Sequence, residues 1–217
     1  MKKLFVVIML GAAFLLANFS KTNAGTIYAS QDGLVNEMYP KYNYSTGISI
    51  GIKSQSGSLQ RSYLRFDLSG ISDNSVITSA TLHLYCYSNG SSGLSVGVYR
   101  TGNFSEGTLT WTNQPGLDPS YALTSETLAP EWNSWNIVQQ WNYKPDLGAN
   151  NLALSVRFKN EAGSGQYAYF WSREYAGLTY DPYLVIEYTP VPIPAAAWLL
   201  GSGLIGLVAF GGRRRRY

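Results

Sequence analysis

One alternating segment, Arg61–Gly70, constrains the fold of this chain more than any other stretch. Apolar side chains take every second position in it, in the order Tyr63, Leu64, Arg65, Phe66, Asp67 and Leu68. Because successive side chains of a strand point to opposite faces, the three apolar residues share one face. Such a face needs a second layer to cover it. The segment therefore predicts one strand of a β-sandwich.

Similar alternation recurs along most of the chain, in Thr26–Ala29, Ile48–Ile52, Ala80–Tyr87, Leu94–Val98, Leu152–Phe158 and Leu184–Tyr188. Gly33, Pro40 and Gly47 predict a loop after the first of these. Only Trp135–Trp141 leaves helix and strand both open. With roughly eight to ten strands and no crossover helices, we expect an all-β, antiparallel sandwich, in the form of a jelly roll.

Both ends of the chain differ from the part between them. Lys2 and Lys3 precede an apolar run, and small residues end at Ala24, which predicts a signal peptide at 1–24 that signal peptidase removes. A β-sandwich domain is expected at 25–189, and a C-terminal segment at 190–217. An uncleaved N-terminal anchor is the alternative, although the apolar run is short for a bilayer.

The C-terminal segment combines a proline-rich break, an apolar run from Ala195 to Gly212, and four terminal arginines. The run is at the short end for a transmembrane helix. Arginines favour the cytoplasmic side, which places the β domain across the inner membrane, in agreement with the signal peptide. A permanent anchor is the alternative, and the same pattern would permit it.

Charge distribution argues against nucleic acid as a partner. Of 16 Lys and Arg, seven lie at the two ends, so the nine that remain face 13 acidic residues and give the domain a formal charge of −4. Phosphate binding needs a basic face. One cysteine, Cys86, cannot form an intramolecular disulfide and is expected in the core.

Five segments occur in the order of a known family's landmarks: YLRFDLSGISDNSVITSATLHLY, EGTLTWTNQP, WNIVQQW, FWSRE and DPYLVIEY. Through these five landmarks, the stretch from Ile27 to Tyr188 resembles the DNRLRE domain, a CBM96-like and disaggregatase-related family. The resemblance implies a secreted or surface β-sandwich that binds polysaccharide without catalysis. It is also compatible with a structural protein of the exopolysaccharide (biofilm) matrix.

The C-terminal segment resembles the PEP-CTERM class of sorting signals in its VPLPA variant. The matching residues are Val191, Pro192, Ile193, Pro194, Ala195, Arg213, Arg214, Arg215 and Arg216. The resemblance implies cleavage by an exosortase-type membrane protease. The product would be transiently anchored in the membrane and then released to the cell surface or extracellular matrix of a Gram-negative-type bacterium.

The candidate ligand-binding residues combine outward-facing aromatic side chains, whose rings cover the apolar face of a sugar, with a few polar groups that hydrogen-bond to its hydroxyls. The candidates are Tyr63, Arg65, His83, Tyr85, Tyr87 and Arg173. The first two and the next three form one platform if their strands are neighbours. Alternatively these tyrosines only cover a β surface, and Arg65 pairs with Asp67 or a neighbouring acid. Arg173 and Glu174 are expected first as a structural ion pair or a loop anchor, with a ligand role for Arg173 as the second choice. Tryptophans are expected mainly in the core or at corners.

Catalytic and metal chemistry have little support in the sequence. His83 and Cys86 are unique, and no nucleophile motif accompanies them. A polysaccharide lyase or glycosidase stays a weaker alternative, since two carboxylates distant in sequence can meet in space. No cofactor is expected; structural calcium is compatible with the composition, but a D-x-D-x-D loop is lacking.

Overall fold

A computed structural model of the chain describes residues 22–72, 75–90, 95–118, 124–138, 150–163, 165–175, 177 and 179–190. Thr22–Thr189 form one compact unit with its own core. Among the described residues, no helix is both long and apolar enough to cross a membrane. The predicted signal peptide before Thr22, the transmembrane helix and the sorting motif lie outside the described residues.

Ten strands make up most of this unit: β1 (Asn23–Asn36), β2 (Ser49–Ser54), β3 (Gln60–Asp67), β4 (Ser75–Asn89), β5 (Ser95–Arg100), β6 (Thr124–Thr127), β7 (Trp132–Asn136), β8 (Asn151–Phe158), β9 (Gln166–Trp171) and β10 (Tyr183–Pro190). Two short 3₁₀ helices, Glu106–Thr108 and Trp111–Asn113, lie between β5 and β6. The registered strand pairs are antiparallel. The predicted all-β antiparallel fold is confirmed.

The strands form two layers. One, here called the β4 sheet, has the order β2-β9-β4-β7, and the other, the β3 sheet, has the order β3-β8-β5-β6. The two layers join at one edge, where Lys53 of β2 pairs with Gln60 of β3. This pair of orders is the jelly-roll topology, which confirms the prediction. β10 adds to the β4 sheet, between β4 and the first half of β1.

β1 changes partner midway along its length. Its first half pairs with β10 and its second half with β3, and the register shifts between Ala29 and Gln31, where Ser30 is the extra residue of a bulge. The prediction of a loop at Gly33 is therefore wrong, because Gly33 continues β1 and pairs with Tyr63. A Cβ at Gly33 would lie 3.1 Å from Leu109 Cδ2, so the small residue allows close packing.

Side chains from both sheets meet in a single main core. Leu64, Phe66 and Leu68 are fully buried there, as the alternation predicts, and so is Cys86. Trp135, where helix and strand were both open, belongs to β7 and is fully buried against Phe170. Burial of one face of each strand thus fixes which face points outward.

Candidate functional site

The outward side of β4 carries His83, Tyr85 and Tyr87. The residues between them point the other way and are fully buried in the core, namely Leu82, Leu84 and Cys86. This is the alternation that a half-buried strand requires. The predicted outward placement of these three candidates is confirmed.

Neighbouring elements surround β4 with further rings. Ring contacts connect them without a break, and we call this surface the aromatic face: Tyr28, His83, Tyr85, Tyr87, Trp132, Tyr167, Tyr169, Trp171, Tyr175, Tyr180 and Tyr183. They come from β1, β4, β7, β9, β10 and the loop between β9 and β10. The aromatic face therefore extends across β9, β4 and β7 of the β4 sheet and onto β10 and β1.

Some of these rings support others. Trp171 lies between Tyr87 and Tyr175, with centroid distances of 3.9 and 3.8 Å and interplanar angles of 15° and 17°. His83 stacks on Tyr183 at 4.6 Å and 9°. Both faces of the Trp171 indole are thus occupied, so Trp171 fixes its neighbours rather than offering a free face to a ligand.

Trp132 has a different environment. It is 37% exposed, more than Trp111, Trp135 or Trp171. It meets Tyr85 and Tyr183 edge-on, at 83° and 66°, and none of its described ring contacts is a parallel stack. An indole in this setting can present apolar ring surface and one N–H donor to a ligand.

Two glycines allow tyrosine rings to lie close against the sheet. Gly51 pairs with Tyr169 across β2 and β9, and a Cβ at Gly51 would lie 2.5 Å from Tyr169 Cδ1. A Cβ at Gly90 would collide with the ring of Tyr167 in the same way. Both rings therefore occupy space that any other residue at these two positions would fill.

A bulge places Tyr87. The register between β4 and β9 shifts between Cys86 and Ser88, so Tyr87 is the extra residue. Bulges redirect side chains and are frequent beside functional sites. The Tyr87 ring is 38% exposed and lies at one end of the Trp171 stack.

Tyr63 and Arg65 lie on the other sheet. β3 and β4 are not neighbours, so the single platform expected if they were adjacent does not form. Tyr63 is fully buried, because Phe104 and Leu109 of the segment between β5 and β6 cover this part of the β3 sheet. Arg65 donates through Nη1 to the Phe104 carbonyl at 2.9 Å.

A polar network surrounds Tyr63. Its hydroxyl donates to Gln114 Oε1 at 2.9 Å and accepts from Arg157 Nη2 at 3.2 Å. Arg61 forms two 2.7 Å hydrogen bonds with Glu161 and lies 4.5 Å above the Trp111 ring. Burial lowers the pKa of Arg157. These contacts hold the covering segment on the β3 sheet.

Arg173 joins two loops. Its guanidinium contacts Glu106 Oε2 at 3.0 Å and Glu174 Oε1 at 2.9 Å, and its backbone N–H donates to Asp32 Oδ2 at 2.8 Å. The interpretation of Arg173 and Glu174 as a structural ion pair is confirmed. A ligand role for Arg173 stays a prediction.

Among the described residues, one group of carboxylates could hold a metal ion, namely Asp32, Glu106 and Glu174. One ligand oxygen each from Asp32, Glu106 and Glu174 lie within 4.8 Å of one another. Burial and the nearby negative charges raise the pKa of Asp32 well above its ordinary value of 3.8. Burial also raises the pKa of Glu106, against the opposing effect of Arg173. The Arg173 guanidinium supplies positive charge to the cluster.

One family model matches the chain over residues 23–188, and its description is carbohydrate-binding module family 96. The chain belongs to carbohydrate-binding module family 96. A search of curated proteins finds no match. Membership supports carbohydrate binding and a polysaccharide partner; families of this kind are typically non-catalytic and not usually cofactor-dependent. The predicted DNRLRE-type, CBM96-like resemblance is therefore confirmed.

Only three members of the aromatic face, His83, Tyr85 and Tyr87, follow from the sequence pattern. Trp132 and Trp171 contribute to the outward surface, so the expectation that they lie in the core or at corners is wrong. A signal for β9 was present in QYAYFW: Ala168 and Phe170 alternate with the three outward rings. Because every residue after Gln166 in that stretch is aromatic or apolar, the alternation was hidden.

Proposed function

We propose that this protein is a secreted, non-catalytic carbohydrate-binding protein whose aromatic face binds polysaccharide. The observation that carries this proposal is the continuous set of rings on one sheet of a family 96 chain. Rings of this kind cover the apolar faces of sugars, and phenol and indole groups hydrogen-bond to their hydroxyls. The exposed Trp132 indole is the central contact.

The test is affinity electrophoresis of Thr22–Thr189 through gels that contain a panel of neutral and acidic polysaccharides. We expect at least one glycan to slow migration. Replacing Trp132 or Tyr87 with Ala should weaken that retardation about tenfold or more, whereas Tyr42→Ala should not. Tyr42 is a matched control because it is 61% exposed and lies outside the aromatic face.

Two alternative functions give different results in the same experiment. A structural matrix protein without a sugar site would show no retardation by any glycan. A polysaccharide lyase or glycosidase would release unsaturated or reducing ends from the retarding polymer, and a colorimetric assay of those ends detects this.

For localisation, we propose export across the inner membrane and sorting to the cell surface or matrix by the PEP-CTERM-like tail. Signal-peptide cleavage after Ala24 would leave the pairs from Gly25–Ile186 to Tyr28–Tyr183, so β1 would keep its place beside β10. Intact mass spectrometry of the native protein tests the tail. A C-terminus within residues 191–197 supports exosortase-type processing, and a chain that still ends in Tyr217 contradicts it.

A further inference from the structure

Taking the aromatic face as the carbohydrate site, as proposed above, we infer that its ligand is an uncharged, extended polysaccharide and that acidic polysaccharides bind more weakly. This inference rests on the proposed function and adds the chemical class of the ligand. It follows from which charged groups border the aromatic face and which lie on the other sheet.

The middle of the aromatic face is uncharged. Its one titratable cationic group, His83, stacks on Tyr183, and burial lowers the pKa of His83, which disfavours the charged imidazolium. The remaining members are tyrosine and tryptophan rings. A carboxylate placed over these rings would lose water without gaining a cation, which is unfavourable.

Charges occur at the borders and do not favour an anion. Lys53 pairs with Tyr167 at the β2 side, and the exposed Glu187 lies on β10, on the same side as Tyr183. Arg173 follows Trp171, but Glu106 and Glu174 already contact its guanidinium. The exposed Glu131 directly precedes Trp132, so the two exposed acidic residues at the borders outnumber Lys53.

Four further described arginines belong to strands of the β3 sheet, namely Arg61, Arg65, Arg100 and Arg157. Arg61 is paired with Glu161, Arg65 donates to the Phe104 carbonyl, and Arg157 is buried beside Tyr63. These three extend from β3 or β8, and Arg100 belongs to β5. A polyanion on the aromatic face would therefore not reach them.

The dimensions of the aromatic face favour a chain over a single sugar. His83 and Tyr87 are four residues apart on β4, which corresponds to roughly 13 Å along a strand. Ring contacts continue sideways from β4 to β9 and β10. Rings spread across several strands on an open outer surface match an extended polymer that contacts more than one of them.

The experiment compares polymers that share a backbone and differ in charge. Thr22–Thr189 is run by affinity electrophoresis against hydroxyethylcellulose and carboxymethylcellulose, and against methyl-esterified and de-esterified homogalacturonan, beside the panel. We expect the uncharged member of a pair to bind about tenfold or more tightly. The dissociation constant for the uncharged polymer should change less than about twofold between about 50 and 500 mM NaCl, because no ion pair is screened. Lys53→Gln should also change this dissociation constant by less than about twofold.

Opposite results separate this inference from the proposed function. Tighter binding of the acidic member, weakened by salt and by Lys53→Gln and abolished by Trp132→Ala, overturns the inference and leaves the aromatic face as the binding site. Binding that Trp132→Ala and Tyr87→Ala do not change overturns both. Absence of binding to every uncharged polymer, in the pairs and in the panel, overturns the inference as well.

Discussion

Gly51→Ala is a substitution that changes the aromatic face without removing a ring. The new Cβ would lie 2.5 Å from Tyr169 Cδ1 and 2.7 Å from Cε1. Ordinary contacts between carbon atoms are about 3.5 to 4.0 Å, so the ring must move by roughly 1 Å or rotate away. Tyr169 would then leave its place beside Tyr87, to which its centroid is 6.3 Å distant.

The cost in stability is expected to be small. Overpacking costs about 1 to 3 kcal/mol where the neighbours are rigid, and Tyr169 is only half-buried, which favours the low end. Replacing a strand glycine by alanine returns roughly 0.5 to 1 kcal/mol. We therefore expect the free energy of unfolding to fall by no more than about 2 kcal/mol.

The effect on binding is expected to be distinct. One aromatic contact contributes roughly 0.5 to 1.5 kcal/mol, so its displacement should weaken retardation by the bound polysaccharide about two- to tenfold. Affinity electrophoresis measures the binding, and urea unfolding measures the stability. Gly70→Ala is the control, because a Cβ at Gly70 meets no atom within 4 Å.

Unchanged affinity in Gly51→Ala, with a moved Tyr169 ring, would refute a contribution of Tyr169 to the binding surface. A crystal structure of the variant in which the ring has not moved would refute the packing argument itself. Equal losses in Gly51→Ala and Gly70→Ala would show that the effect is not local to Tyr169.

Two further predictions concern stability. Phe66→Ala should lower the free energy of unfolding by about 3 to 5 kcal/mol, because Phe66 is fully buried between the sheets. The control Val76→Ala, at a residue that is 52% exposed, should change the free energy of unfolding by less than about 0.5 kcal/mol. Comparable losses for the two variants in urea unfolding would contradict this prediction. Burial and the charges of Glu174 and Glu106 raise the pKa of Asp32 in the folded chain above its value in the unfolded chain. The contribution of Asp32 to the free energy of unfolding is therefore complete below the pKa of the unfolded chain, and it is lost as the pH rises through the pKa of the folded chain. Asp32→Asn should remove that part of the pH dependence, and a variant with the wild-type slope would contradict this interpretation.

Much of the fold could be predicted from the sequence, because each alternating strand has one buried face. Leu64, Phe66 and Cys86 lie where their alternation places them. The sequence pattern does not predict β6 or β9, and it leaves helix and strand both open at Trp135 in β7; these three strands contain four to six residues each. Strands this short give few alternations, and in β9 the outward residues are aromatic, like some of the buried ones.

The candidate site was less predictable because exposure depends on distant segments. Tyr63 and Tyr85 occupy similar positions in alternating strands, yet Tyr63 is fully buried and Tyr85 is not. The difference arises from Phe104 and Leu109, about 40 residues further along the chain than Tyr63, which cover the β3 sheet. Neither this cover nor the contact between Trp132 and Tyr183 can be deduced from local periodicity.

Where the polysaccharide binds is measured most directly by nuclear magnetic resonance of the tryptophan indole N–H groups. Thr22–Thr189 labelled with ¹⁵N-tryptophan is titrated with the glycan that slows its migration. We expect the signal of Trp132 to shift because it contacts the ligand, and that of Trp171 to shift with the same dissociation constant because Trp171 stacks on the contact residue Tyr87. The signals of Trp111 and Trp135 should stay in place. A shift of Trp111 with unchanged Trp132 and Trp171 would place the ligand on the opposite side of the sandwich and contradict binding at the aromatic face.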